Sequence, residues 1–184
     1  LAYNGIFDNK TKQFYFVGSK KYIELTDKYT FLNNPTFNYN QSPVDKTKRD
    51  LYNAFINNLS GGNPEIRLLL EQGLYSIIEG NGRHKYFMIS GDAGIGKSTL
   101  GHIMSALANE VNVKILNIDK LGRDNAINTI SPETRLVIGD DLKNNAYLSD
   151  DAITNYKTLV DGNALSVEVK YELNRVIKTN ATWV

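Results

Sequence analysis

The sequence predicts an α/β chain built on a parallel sheet with helices on both faces, preceded by a small helical unit and a short β-rich or extended N-terminal segment. Three observations carry that expectation. From residue 85 onward, short apolar runs suited to buried strands alternate with helically spaced segments, as in a parallel sheet whose crossovers are helices. Between the first run and the first helix lies Gly91-Asp92-Ala93-Gly94-Ile95-Gly96-Lys97-Ser98, which fits G-x-x-x-x-G-K-[ST]. A later apolar run, Arg135-Leu136-Val137-Ile138-Gly139, leads directly into the adjacent carboxylates Asp140 and Asp141.

In chain order, residues 1–45 are rich in Tyr, Phe, Asn and Lys. Residues 13–17 and 21–25 read as short strands on either side of Gly18-Ser19, and Asn33-Asn34-Pro35 and Gln41-Ser42-Pro43 are turn signals. Residues 46–82 change to helical spacing and read as a collar. Leu51, Phe55 and Leu59 recur at i, i+4 and i+8, which predicts their common face as the buried one. Gly61-Gly62 ends that helix, and Asn63-Pro64-Glu65 starts the next as N-cap, first-turn proline and first-turn acid. Ile66, Leu69, Leu70, Leu74, Ile77 and Ile78 are its expected buried side, with Gly73 a kink or break.

Residues 83–184 form the expected nucleotide-binding core, of the phosphate-loop NTPase type. Residues 86–90 are the first strand, 99–107 the helix after the loop, 113–118 the second strand, 125–130 a short helical piece and 135–139 a third, buried strand. Ser149 caps a helix through residues 152–160, which Asp161-Gly162-Asn163 breaks. Residues 165–171 alternate as a strand and can turn back into residues 176–178, a hairpin bearing Lys170, Arg175 and Lys178.

Glycines in the loop let successive backbone N–H groups turn inward, and the helix after it adds the positive end of its dipole. Gly91, Asp92, Ala93, Gly94, Ile95, Gly96, Lys97, Ser98 and Thr99 are therefore the predicted cradle for ATP. Lys97 is expected to reach the β- and γ-phosphates and Ser98 to hold Mg²⁺. Of the acidic pair, Asp140 is favoured for the Mg²⁺ shell and Asp141 for the attacking water. Neighbouring residues of an extended strand point to opposite faces, so both reach one site only if the strand ends there and the chain turns.

Composition bounds the rest. The 184 residues include no cysteine, which excludes disulfides and thiolate zinc sites. A net charge of +1 argues neither for nor against nucleic acid, because a groove can concentrate lysines while the total stays neutral. No apolar stretch approaches the ~20 residues that cross a bilayer, so no membrane partner is expected and the location is read as cytoplasmic. The first residue is Leu, which reads as a fragment.

The ordered set of Gly91 to Leu100, Gly139-Asp140-Asp141-Leu142 and Tyr156 to Tyr171 resembles motifs A, B and B′ of the superfamily 3, AAA+-like DNA helicases. It is most similar to the phage, plasmid and poxvirus-type primase-helicase or replication-initiator branch. Lys157, Leu159, Gly162 and Asn163 match one family element and Lys170-Tyr171 a second, while the helical stretch over residues 55–75 is similar to the region preceding the ATPase. The resemblance covers residues 45–184 and implies an ATP hydrolase that unwinds DNA as a homo-oligomer, usually a hexameric ring. It implies single-stranded or forked DNA and further replication proteins as partners, Lys170, Arg175 and Lys178 as contacts to DNA phosphates, and a phage or mobile element in a bacterial cytoplasm. The family's sensor asparagine and arginine finger are expected beyond residue 184; Asn180 comes too early in its strand to be the sensor. Two other readings stay open. One is a small-molecule kinase on the same phosphate loop, and the other an initiator or loader that ATP switches without unwinding.

Overall fold

A computed structural model describes residues 2, 4–8, 10–29, 45–80, 86–122, 124–139, 148–168 and 174–184. It is a mixed α/β structure with two compact units, Leu1–Arg67 and Leu68–Val184.

In the first unit, β1 (Gly5–Asp8) and β2 (Gln13–Phe16) form an antiparallel hairpin in which Phe7 faces Phe14 and Gly5 faces Phe16. A side chain at position 5 would collide with the Phe14 ring and the Tyr15 carbonyl, so the strands pair this closely only over glycine. Residues 21–25, expected as a strand, instead belong to helix α1 (Lys20–Lys28). Two local features favour the helix. The Ser19 hydroxyl accepts from the Tyr22 amide as an N-cap, and Lys21 pairs with Glu24 at 2.8 Å, one turn on.

Helix α2 (Lys46–Leu59) is capped by Asp45, whose carboxylate accepts from Lys48 N–H, and it ends where Gly61 and Gly62 take positive φ. Its buried residue is Ile56, whereas Leu51, expected on the inner face, is 73% exposed. Helix α3 (Pro64–Glu79) starts at Asn63, whose carboxamide oxygen accepts from Glu65 N–H. Arg67 ties that start to α2, its guanidinium donating to Asn57 Oδ1 at 2.7 Å and Asn53 Oδ1 at 2.8 Å.

Helix α3 does not break at Gly73. It runs through that residue, and a Cβ there would press on the Phe87 ring at 3.2 Å, so the glycine permits close packing. The buried side of α3 is Gly73, Leu74, Ser76 and Ile77, while Ile66, Leu69 and Ile78 are exposed. The expected inner side is thus wider than the real one, because α3 is apolar over more of its circumference than it buries.

The second unit centres on a parallel three-stranded sheet in the order β3 (Val113–Ile115), β4 (Leu136–Ile138), β7 (Thr182–Trp183). Leu136 and Val137 of the central strand are fully buried. Alternation along β4 sends them to opposite faces, and the register puts Thr182 with Leu136 and Trp183 with Val137. On the Thr182 face, Ser76 of α3 meets Thr182 in a 2.9 Å hydroxyl–hydroxyl bond and also donates to the Gly73 carbonyl. On the Val137 face lies the main core, where Val137 and Trp183 join Leu121, Ile127, Ile130, Ala152, Leu159, Val167 and Ile177. Helix α4 (Lys97–Ala108) lies against β4 and buries Leu100, Met104 and Ala108, a single stripe at i, i+4 and i+8. Asn112 closes its far end, donating to the Ala108 carbonyl at 3.2 Å.

Helix α5 (Asp124–Ile127) is a single turn. Helix α6 (Asp150–Val160) is capped by Ser149 and packs on the 3₁₀ turn at Ile118–Gly122, where Asn155 donates to the Leu121 carbonyl. Strands β5 (Leu165–Val167) and β6 (Arg175–Ile177) form the expected antiparallel hairpin, with Ile177 buried at its base and Val167 buried toward its turn. From there Thr179 guides the chain into β7 by donating to the Thr134 carbonyl and accepting from the Ala181 amide.

Three rings link separate parts of this unit. Tyr156 of α6 stands edge-on between Tyr86 at 6.1 Å and Trp183 at 5.4 Å. Burial first, and Tyr86 second, push the Tyr156 phenol up to about 12 from its ordinary 10. The unfolded chain therefore loses this proton before the folded one does. The contribution is fully present below pH 10 and is lost as pH rises toward 12. We predict that Tyr156→Phe moves the midpoint of alkaline unfolding, followed by circular dichroism, to higher pH; a midpoint unchanged or lower would remove Tyr156 as its determinant.

Candidate functional site

The stretch before the glycine loop is not the buried strand expected. Tyr86 makes a single parallel bridge to Trp183, Phe87 N–H donates to the Trp183 carbonyl at 2.8 Å, and Met88 is 77% exposed. Among the described residues this segment is an outer member of the sheet, with Tyr86 and Met88 exposed, and apolarity alone could not reveal that. Its direction is nonetheless informative. Residues 86–87 run parallel to β7, β7 to β4 and β4 to β3. The spatial order is therefore first, fourth, third, second in the sequence.

All four segments thus end at one edge. The chain leaves the first into Gly91, and leaves β4 at Gly139, whose amide donates to the Val184 carbonyl at 2.7 Å. Ligands of open parallel sheets bind beyond the carboxyl ends, where connections diverge to opposite sides. Between residues 86–87 and β4 lies β7, reached from β4 only through α6 and the β5–β6 hairpin.

The loop itself is exposed. Gly94 at φ 83° and Gly96 at φ 100° occupy the left-handed region that favours glycine. Gly96 is also the N-cap of α4, with φ 100° and ψ 12°, and no side chain caps the helix there. The first intrahelical bond runs from Leu100 N–H to the Gly96 carbonyl, so the amides of Lys97, Ser98 and Thr99 precede the helical ladder. Helix dipole and amide donors therefore converge on the loop with no competing cap. The Lys97 ammonium folds back over the same loop, donating to the carbonyls of Gly91 at 2.6 Å and Asp92 at 2.7 Å. A lysine in the first turn and two carbonyls at the loop's entry form one charged, closed turn. Ser98 and Thr99 lie beside it in the first turn of α4.

The donor set suits a phosphate ester, combining glycine backbone, helix-terminal amides and an ammonium. Among the described residues no three His, Asp or Glu side chains gather as a metal site. A Mg²⁺ that shares phosphate oxygens requires only one or two carboxylates from the protein, so its expected ligands are few. Asp140 and Asp141 lie outside the described residues, as does Lys170. Arg175 and Lys178 are both exposed. Arg175 pairs across the hairpin with Val167, on the same face as buried Ile177. It also has an acidic neighbour: Glu133 is held below the usual carboxylate range by the Ser131 hydroxyl and its own backbone amide, with Arg175's charge adding to them. Asn180 stands at the amino end of β7, at the end of the sheet opposite the one the glycine loop leaves. Sequence analysis missed Tyr156, whose ring touches both the strand entering the loop and β7. Its place one residue before Lys157, in the stretch whose resemblance to motif B′ was noted from the sequence, was the available signal.

Residues 88–184 match the model of a family of unknown function, DUF5906, and the chain belongs to that family. None of the curated proteins matches the chain. The matched segment begins just before the glycine loop and takes in α4, the parallel sheet and the hairpin.

The backbone of Gly96 gives a direct test of the loop. Gly96→Val places a β-branched residue at φ 100° and is predicted to cost about 1–3 kcal/mol, seen as a lowered thermal midpoint. Gly101→Ala, where an added Cβ meets nothing within 4 Å in mid-helix, is predicted to leave the midpoint unchanged or raised. Equal destabilisation by both would show that the loop conformation is not what demands glycine.

Proposed function

We propose that this chain is the ATP-hydrolysing core of a DNA helicase motor of the superfamily 3, AAA+-like type, serving phage or mobile-element replication in a bacterial cytoplasm. One observation supports it above others. The glycine loop and the strand that runs into Asp140-Asp141 leave the same edge of a parallel sheet, with β7 between them. A phosphoryl-transfer enzyme of the phosphate-loop kind requires phosphate-binding donors and carboxylates from two separate parts of the chain, and the shared edge supports that reading.

In this reading Gly91 to Thr99 hold the triphosphate, and Lys97 exchanges its carbonyl partners for phosphate oxygens. Ser98 and Asp140 would hold Mg²⁺, which supplies charge neutralisation at the phosphates, while Asp141 orients water. The link to DNA rests on connectivity. The β5–β6 hairpin, with Arg175 and Lys178, runs through Thr179 straight into β7, and β7 is hydrogen-bonded to the strand that enters the glycine loop. A shift of the loop on hydrolysis would be felt at the hairpin through only one strand. Subunits arranged in a ring, with single-stranded or forked DNA at the hairpins, are implied by the same family resemblance.

The test joins binding and turnover. Lys97→Ala is predicted to abolish binding of a fluorescent ATP analogue without lowering the thermal midpoint by more than a few degrees. ATP hydrolysis is predicted to rise on addition of oligo(dT). Arg175→Gln with Lys178→Gln should leave the basal rate intact and remove most of the stimulation. The same pair should reduce the salt slope of DNA binding by about 1.4, or ~0.7 for each phosphate no longer neutralised. Nucleotide binding indifferent to Lys97 would end the proposal. Transfer of phosphate to a nucleoside with no response to DNA would select the kinase reading instead.

A further inference from the structure

We propose, resting on the phosphate-binding reading of the glycine loop, that Tyr156 is a positioning residue for that loop. Its ring, set against Tyr86, holds the segment entering the loop where Lys97 and the loop amides can receive a triphosphate. Few bonds hold that segment. Among the described residues, its main-chain ties to the sheet are the single bridge from Tyr86 to Trp183 and the Phe87 amide on the Trp183 carbonyl. Residues 88–90, which lead from there into Gly91, belong to no described strand.

Side chains supply the rest of the hold, one on each face. Neighbouring residues of an extended segment point to opposite sides. Phe87 turns to α3, where a Cβ at Gly73 would press on its ring at 3.2 Å. Tyr86 turns the other way and meets Tyr156 edge-on, with centroids 6.1 Å apart and planes at 67°. The Tyr86 side chain is otherwise largely in solvent, at 58% exposure, so Tyr156 is the fixed member of the pair. Tyr156 stands at 89° to buried Trp183, and its neighbour Asn155 ties α6 to the Leu121 carbonyl at 2.8 Å. An exposed ring at the loop's approach is thus located by a ring that the core itself locates.

The effect reaches the cradle through the backbone. The segment runs on into the carbonyls of Gly91 and Asp92, the two on which the Lys97 ammonium rests. Ile95 lies so close over Gly91 that a Cβ there would strike its side chain, which leaves the loop's entry no slack against its tip. A shift at Tyr86 therefore moves the carbonyls that aim Lys97. Tyr156 needs to touch no ligand to act in this way.

The experiment titrates the whole chain with ATP and with inorganic tripolyphosphate by calorimetry, well below the thermal midpoint. Tyr86→Ala and Tyr156→Leu are each predicted to weaken both ligands about three- to tenfold. That is the range an edge-to-face pair contributes when it sets the population of the binding-competent arrangement. The double variant should bind no more weakly than the worse single one, since both changes remove the same contact. Tyr156→Phe keeps the ring and should bind both ligands as the wild type does. Ile130→Val, a truncation elsewhere in the main core, should lower the midpoint and leave both affinities unchanged. Wild-type affinity in Tyr86→Ala would overturn the proposal, as would additive losses in the double variant or an equal loss in Ile130→Val. Weakened ATP with unchanged tripolyphosphate would assign Tyr86 to the base and overturn it as well. Tripolyphosphate binding indifferent to Lys97→Ala would end the reading of the loop, and this proposal with it. Binding that needs Lys97 but ignores the ring pair would end this proposal alone.

Discussion

Main-chain hydrogen bonding on both sides of Thr182 and Trp183 is the constraint on which the second unit depends. On one side Thr182 N–H donates to the Arg135 carbonyl and Val184 N–H to that of Val137; on the other, Phe87 N–H donates to the Trp183 carbonyl. A strand of two residues contributes little by length. Its hold comes from burial, since Thr182 and Trp183 are nearly inaccessible, and from side chains that anchor each face. Thr182 is bonded to Ser76 of α3, and Trp183 is enclosed by Tyr156 and the main core. Without this strand the segment entering the glycine loop would have no described partner in the sheet, and the loop would have no fixed relation to β4. Geometry at the candidate site is thus set by a short strand that lies next to it and supplies no catalytic group.

The loop obeys a second, local constraint. Its glycines adopt backbone angles that side chains resist, and its lysine is held by the loop's own carbonyls. Those carbonyls and the amides at the start of α4 attract opposite charges. The turn can therefore satisfy a cation from within while offering donors to an anion outside. This division of backbone polarity suits a glycine-rich turn before a helix to phosphate, whatever the remainder of the chain does.

Much of this was legible in the sequence, and the misses have physical causes. The glycine loop, α4, the strand before Asp140, the Ser149 cap and the β5–β6 hairpin all rest on local signals: fixed glycines, caps and alternation. Errors arose where tertiary context decides or where a cap outweighs a pattern. Residues 21–25 alternate like a strand, but the hydroxyl of Ser19 and the Lys21–Glu24 pair favour a helix. Residues 86–90 are apolar enough for a central strand, yet among the described residues the segment is an outer one, with Met88 in solvent. The apolar residues of α2 and α3 identify helices but not which side is covered; Ile56 is inside and Leu51 outside. Gly73 looked like a break because periodicity cannot show that Phe87 packs against it. Strand β1 escaped notice because Gly5-Ile6-Phe7-Asp8 is short and opens on glycine, a weak strand former whose value here is the space it leaves for Phe14.

The sequence contains a single tryptophan, and it is Trp183. Its indole is 3% exposed and perpendicular to the Tyr156 ring, within a strand bonded both to the segment entering the glycine loop and to β4. Any change in the tryptophan emission of this chain, excited beyond the absorption of its eleven tyrosines, therefore originates at one known place. Water reaching that ring, or Tyr156 withdrawing from it, would alter its colour and intensity. The molecule in effect contains its own optical gauge at the junction between loop and hairpin, readable without a label.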